Sequence, residues 1–280
     1  MTLQEWLRKG EEVLLTSPHP GSARRDAELL LLQVVHQERA GLLARWNECL
    51  RSAEGELYKG LVERRLAGEP IQYILGETEF YGLPFRVTPD VLIPRPETEH
   101  LVEKALDAAA SYSRPRIVDV GTGSGAIAVT LAHKLPQAMV TAIDLSHAAL
   151  AIAEENATRN GVALRLLEGD LLAPVADDTF DIVVSNPPYV PLVDRASLAV
   201  EVRDYEPALA LFAEDDGLGV YRRLIPEAFA VLNSGGFLAM EIGFNQSPAI
   251  AYMLARCGFQ KIEFLPDLQS IPRVACAQKR

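Results

Sequence analysis

Cysteine is scarce in this chain. The three present, Cys49, Cys257 and Cys276, lie far apart and show no metal-ligand spacing. That excludes a disulfide-stapled scaffold and a zinc module, and points to a reducing, cytoplasmic compartment with no bound metal. Long apolar runs are missing too. About half of the residues (49%) are hydrophobic, yet no stretch of eighteen could span a bilayer. The segment from Met1 to Trp6 lacks the apolar core of a signal peptide, so no membrane partner is expected. Positive charge is in deficit, with 27 Lys and Arg against 38 Asp and Glu. Residues 1–75 carry 10 basic and 11 acidic groups, whereas the remainder carries 17 and 27. A chain that grips nucleic acid needs a phosphate-neutralising stripe. None is visible, so no direct nucleic-acid binding is expected, and the acidity would suit a basic protein partner. The five histidines occupy no spacing that marks a ligand or a base.

What is present has a clear order. Residues 1–75 lack strand alternation. Leu3, Trp6, Leu7 and Leu14 recur at helical spacing, as do Ala27, Leu30, Leu31, Val34 and Val35, and Leu57, Leu61 and Leu66 mark a further helix. A small helical domain is predicted there. Residues 76–93 alternate around Gly82 and Pro84 and predict a β-hairpin linker. From 94 to 280 a helix through about Ala110 precedes alternating strands and helices, which predicts an α/β domain with a doubly wound parallel sheet. Between the fourth strand of this domain and a helix near 217–232 the pattern predicts a long loop.

Strand ends carry the chemistry. Ile117 to Val120 reads as a buried strand, followed by Gly121, Thr122, Gly123, Ser124 and Gly125 and an apolar helix. Alternate glycines let the backbone turn sharply and approach a ligand, with helix N–H groups behind them. The third glycine is one residue early for a dinucleotide fingerprint, and no Gly-Lys-Ser/Thr follows. The next strand ends in Asp144, placed for ribose hydroxyls or for capping the following helix. A third strand leads into Asp170 and Leu171, where an adenine would arrive. One glycine loop and two acids without a pyrophosphate site fit S-adenosylmethionine, leaving S-adenosylhomocysteine as product. Asp119, in the strand before the loop, either bonds the loop backbone or contacts the methionine amino group.

The fourth strand, Phe180 to Ser185, runs into Asn186, Pro187, Pro188 and Tyr189. A planar amide or amino nitrogen is a poor nucleophile because its lone pair is delocalised. An Asn oxygen and a backbone carbonyl can accept both of its N–H bonds and aim the lone pair at an electrophile. Consecutive prolines stiffen the turn, and Tyr189 can lie against the planar group. This is a candidate clamp for methylating a planar nitrogen, against the alternative of an ordinary strand-end turn.

Together these residues resemble the class I, Rossmann-like methyltransferases, and among them the HemK/PrmC protein-glutamine N5-methyltransferases. The resemblance is carried by Ile93 to Glu99, Asp119 to Ala128, Asp144, Ser185 to Val190 and Glu241 to Gly243. It covers nearly the whole chain, with residues 1–75 as a substrate-docking domain. It implies methyl transfer to the glutamine of the Gly-Gly-Gln loop of peptide-chain release factors, in translation termination. Position by position it implies that Gly121 to Gly125 form the cofactor loop, that Asp144 is the ribose acid, and that Asn186 to Tyr189 are the substrate clamp. It also implies that Asn186 lies close to the cofactor's reactive end. Leu171 falls where the family often has a bulkier or aromatic side chain. Arg95 and Glu97 either form a local ion pair with capping or shape the site. Glu241 either faces the pocket or caps a helix, and is not counted as catalytic. Rival readings are glutamine methylation of a ribosomal protein, N6-adenine methylation of DNA, which the acidic balance disfavours, and a non-catalytic adaptor.

Overall fold

The computed structural model describes residues 1–280 apart from 215 and 268. Two compact units emerge, one of Met1–Gly76 with Leu198–Tyr205 and one of Glu77–Ser197 with Glu206–Arg280.

The smaller unit is built from α1 (Leu3–Leu14), α2 (Ala23–Val35), α3 (Arg39–Ala44), α4 (Ser52–Leu66) and α5 (Ile71–Leu75). A capping box opens α1. Thr2 Oγ1 accepts from the Glu5 N–H at 3.2 Å, and the Thr2 N–H donates to the Glu5 carboxylate at 2.8 Å. Leu3, Leu7 and Leu14 of α1 pack with Ala27, Leu30, Leu31 and Val34 of α2 in one core. On α4 the buried face is Gly55, Tyr58, Val62 and Arg65, while the expected Leu57 is exposed. Apolar residues on both sides of that helix made its inner face ambiguous in the sequence. Arg65 Nε donates to Asp26 Oδ2 at 2.7 Å inside the core, and Ser22 Oγ donates to the same oxygen at 2.7 Å. Arg65 also reaches Glu201 at 3.0 Å. Glu201 belongs to Leu198–Tyr205, which groups with this unit although it lies far along the chain.

The larger unit begins with the hairpin of β1 (Glu77–Phe80) and β2 (Leu83–Arg86). Its two loop residues, Tyr81 and Gly82, have φ of 53° and 74°, the left-handed pair that matches strand twist. Phe80 and Phe85 pack edge to face with centroids 6.1 Å apart, within a core shared with α6 (Thr98–Ala109) and α7 (Ala126–Lys134). Asn156 of α8 (His147–Arg159) fixes the hairpin. Its Oδ1 accepts from the Arg86 N–H at 2.7 Å, and its Nδ2 donates to the carbonyls of Arg86 at 3.0 Å and Ser124 at 2.8 Å.

Among the described residues, seven further strands form one sheet: β3 (Arg116–Val120), β4 (Met139–Asp144), β5 (Arg165–Glu168), β6 (Phe180–Ser185), β7 (Leu232–Glu241), β8 (Phe259–Pro266) and β9 (Pro272–Lys279). Their order is β5-β4-β3-β6-β7-β9-β8. The first five are parallel, and both faces are covered. Val118, Val120, Val183, Leu238 and Met240 enter one core, whereas Ile117, Ile182, Val184 and Ala239 enter the other. β9 runs antiparallel to both β7 and β8, so the sheet is mixed rather than wholly parallel. Five residues separate β8 from β9, too few for a crossover connection, so only antiparallel pairing is open to them. From β3 the chain builds outward through β4 and β5, then returns to β6 on the other side. Ligands bind at such a switch point, outside the carboxyl ends of the strands. In place of the expected long loop after β6 stand the short helices α9 (Val200–Tyr205) and α10 (Ala208–Leu211), before α11 (Gly219–Val231). A helix α12 (Ser247–Cys257) follows β7.

Candidate active site

A cavity of about 330 Å³ opens at the carboxyl ends of β3, β4 and β6. Gly121, Thr122, Gly123, Ser124, Asp144, Asp170, Leu171, Asn186 and Pro188 all line it, joined by Thr98 at the start of α6, Leu209 and Arg223. Gly125, Pro187 and Tyr189, also singled out in the sequence, are not among its lining residues. Gly125 instead caps α7 from a left-handed conformation with φ 80°, and Pro187 is buried.

The loop is held from below. The Gly121 and Thr122 N–H groups both donate to the Ile143 carbonyl, at 2.8 and 3.0 Å. Thr122 Oγ1 donates to Asp119 Oδ2 at 2.6 Å, while the buried Asp119 Oδ1 has no hydrogen-bond partner among the described residues. Burial pushes the Asp119 carboxyl up to about 7, against the bond from Thr122. Asp119 thus serves the loop through a side chain, not through its backbone. Nothing lies within 4 Å of where a Cβ would stand at Gly121 or Gly123. A ligand can therefore approach the backbone at these two positions, which fits an adenosyl group and its amino-acid tail.

Asp144 is not the cap of α8. That role falls to Ser146, whose Oγ accepts from the Ala149 N–H at 3.2 Å. Asp144 Oδ2 accepts from the Gly123 N–H at 2.8 Å and Oδ1 from the Ser146 N–H at 2.9 Å. Each oxygen keeps a further lone pair for a ligand hydroxyl. Burial raises this carboxyl above its ordinary range, and the backbone N–H groups oppose the shift. Asp170 pairs with Arg223 at 2.7 Å in an exposed position. Leu171 has φ 50°, a left-handed conformation uncommon for a leucine, here found at a cavity wall.

On the opposite side, Ser185 Oγ donates to the Val120 carbonyl at 2.7 Å and ties the ends of β6 and β3 together. Asn186 Nδ2 donates to Thr98 Oγ1 at 3.2 Å. The Thr98 hydroxyl donates to Glu241 Oε2 at 2.6 Å, and the Tyr189 hydroxyl donates to Glu241 Oε1 at 3.1 Å. Gln246 secures the turn, with Nε2 on the Tyr189 carbonyl at 3.0 Å and Oε1 on the Gly243 N–H at 2.8 Å. Glu241 therefore neither faces the cavity nor caps a helix. It is buried behind the clamp, and burial raises its carboxyl against the two hydroxyl donors. Burial also raises the Tyr189 phenol, and the nearby Glu241 reinforces the shift. Sequence reading left Thr98 without a role and offered Glu241 only the two alternatives that this arrangement replaces. Arg95 pairs with Glu206, distant in sequence, and not with the adjacent Glu97. Glu97 stands at the α6 N-cap position without a side-chain capping bond.

Among the described residues no His, Cys, Asp and Glu cluster could hold a metal, and no helix is long and apolar enough to cross a membrane.

The sequence model of the PrmC N-terminal domain matches residues 5–76, and that of the methyltransferase small domain matches residues 97–201. The release factor glutamine methyltransferase of Geobacter sulfurreducens is 44% identical over 253 residues, covering 90% of this chain and 88% of the relative. The protein of the same description from Bordetella pertussis is 45% identical over 257 residues, covering 91% and 95%. Among solved structures, the hMettl16 catalytic domain in complex with a MAT2A 3′UTR hairpin superposes with a TM-score of 0.58 at 16% identity, covering 88% of this chain and 87% of that one. That likeness concerns the fold.

Proposed function

The chain belongs to the release factor glutamine methyltransferases, and from that premise we propose that it transfers the methyl group of S-adenosylmethionine to the side-chain amide nitrogen (N5) of the Gly-Gly-Gln glutamine in peptide-chain release factors. The observation that carries the reading is the position of Asn186 across one cavity from Asp144 and the glycine loop. When bound, S-adenosylmethionine supplies an electrophilic sulfonium methyl and a thioether leaving group. Gly121 to Gly125 would hold its amino-acid end, Asp144 its ribose hydroxyls, and Asp170 and Leu171 its adenine.

The chain's own task is positioning. Asn186 Oδ1 and the Pro187 carbonyl accept the two N–H bonds of the substrate carboxamide, which keeps the nitrogen lone pair free to point away from them. Those bonds strengthen as the nitrogen gains positive character, so the binding favours the transition state. Tyr189 braces the amide plane. No general base is required, because the methylated nitrogen is acidic enough to lose its proton afterwards. The substrate is a protein, and the helical unit of residues 1–75 serves to dock it. Peptide-chain release factors as substrates are consistent with a cytoplasmic enzyme.

The test is a transfer assay with labelled methyl donor, offering purified release factors, ribosomal proteins and duplex DNA side by side, with mass spectrometry of the labelled peptide. Label on the Gly-Gly-Gln glutamine is the expected result. Label on DNA, or on ribosomal proteins alone, overturns the reading.

A further inference from the structure

The two ends of an Asn amide are nearly isosteric, so shape does not decide which of them faces a ligand. At Asn186 the bonds behind the side chain decide. Glu241 is 3% exposed, and its two oxygens accept from two hydroxyls, those of Tyr189 and Thr98. A threonine hydroxyl has one proton. With that proton given to Glu241 at 2.6 Å, Thr98 Oγ1 can only accept, and it accepts from Asn186 Nδ2 at 3.2 Å. An amide whose NH₂ is turned to Thr98 has its oxygen turned elsewhere.

We infer that Thr98 and Glu241 are positioning residues for methyl transfer, fixing the Asn186 amide so that its oxygen, not its NH₂, is offered to the substrate carboxamide. Glu241 does not line the cavity; Thr98 does, but its hydroxyl is engaged by Glu241 and Asn186. Their effect passes through Asn186, and the same carboxylate steadies the Tyr189 ring. The chain of bonds has a direction. A group at 241 that donates to Thr98 would release the threonine proton toward Asn186 and invite the amide to turn over. It would then present two donors to a substrate amide that also donates. Tyr221 holds the carboxylate's own backbone, its hydroxyl donating to the Glu241 carbonyl at 2.7 Å. The orienting chain therefore begins on a fixed point of β7.

The inference rests on the reading of Asn186 as the acceptor for the substrate amide, and its test separates the two. Thr98→Val, Thr98→Ser and Glu241→Gln are compared with the unaltered full chain for kcat and KM on a release factor, for S-adenosylhomocysteine affinity by calorimetry, and for Tm. Thr98→Val should lower kcat roughly tenfold to a hundredfold, with homocysteine-product affinity within about threefold and Tm nearly unchanged. Thr98→Ser, which keeps the hydroxyl, should restore kcat to within about threefold. Glu241→Gln can still accept from one of the two hydroxyls, so its kcat should fall no further than that of Thr98→Val. A substrate-free readout accompanies these. The Asn186 side-chain NH₂ pair, identified in ¹⁵N spectra by its disappearance in Asn186→Ala, should exchange slowly in the unaltered protein and faster in Thr98→Val. Unchanged exchange, or a Thr98→Val kcat within twofold of normal, overturns the inference, as does a Thr98→Ser variant as impaired as the valine. If the unaltered protein methylates no glutamine yet shows the protected NH₂ pair, the orientation stands and the function fails.

Discussion

The Gly123 N–H donates to Asp144 Oδ2 across 2.8 Å, so the glycine loop after one strand and the acid ending the next are a single hydrogen-bonded unit. Asp144 Oδ1 is likewise engaged by the Ser146 N–H. Both oxygens must accept, which only a carboxylate does. Asp144→Asn would set its NH₂ against a backbone donor whichever way it turned. It should therefore lose S-adenosylhomocysteine affinity about as badly as Asp144→Ala, with either loss roughly 10- to 100-fold for one or two charge-assisted bonds. Calorimetric titration measures both. An asparagine variant that binds normally would show that acceptance at both oxygens is dispensable.

Removing the clamp side chain should have the opposite selectivity. Asn186→Ala leaves the loop and Asp144 untouched, so it should abolish most methyl transfer, on the order of 100-fold or more in kcat. Homocysteine-product affinity should fall only a few fold. Near-normal turnover would sink the positioning mechanism.

Asp119 makes stability depend on pH. Its folded-state carboxyl is raised to about 7 from 3.8 by burial. Between those values the folded chain holds a proton that the unfolded chain has released. Stability should therefore fall as pH rises through that window, by at most about 4 kcal/mol. Asp119→Asn, which keeps an acceptor for Thr122, should remove this component. The measurement is the Tm difference between variant and unaltered protein from pH 5 to 8, which should move in favour of the variant as pH rises. A difference that does not change with pH would contradict it.

In the smaller unit, Asp26 and Arg65 are paired at 2.7 Å with both side chains almost fully buried. Asp26→Ala leaves the buried Arg65 guanidinium with Glu201 as its charged partner and the Glu69 carbonyl as a further acceptor, and should cost about 1–3 kcal/mol in that unit for the lost charge-assisted bond. Both tryptophans, Trp6 and Trp46, lie in this unit. Their fluorescence in a urea titration of the full chain reports on it directly. An unshifted tryptophan transition would show the pair to be energetically idle.

Much of the site was legible because its parts are local in sequence. A glycine loop follows its strand directly, Asp144 ends the next strand, and Asn186 follows a third, so periodicity alone brings them to one end of a sheet. Thr98 and Glu241 were visible as residues within recognisable motifs but not as partners. Their bond spans 143 positions and exists only because α6 and β7 are brought together. The α9 segment was hidden for a similar reason. It is a short helix inside what reads as a loop, and it groups with helices more than a hundred residues earlier. The left-handed Leu171 gave no signal, since no glycine marks it.

The Asn156 side chain makes all of its bonds to backbone, two to Arg86 in the hairpin and one to Ser124 in the glycine loop. Detaching the hairpin would leave a buried amide with one unmet donor and one unmet acceptor beside the loop, at about 1–3 kcal/mol for each group left bare. Local opening of the two segments is thus thermodynamically coupled. A ligand that orders the loop should slow deuterium uptake at the Arg86 amide, even though Arg86 need never touch the ligand.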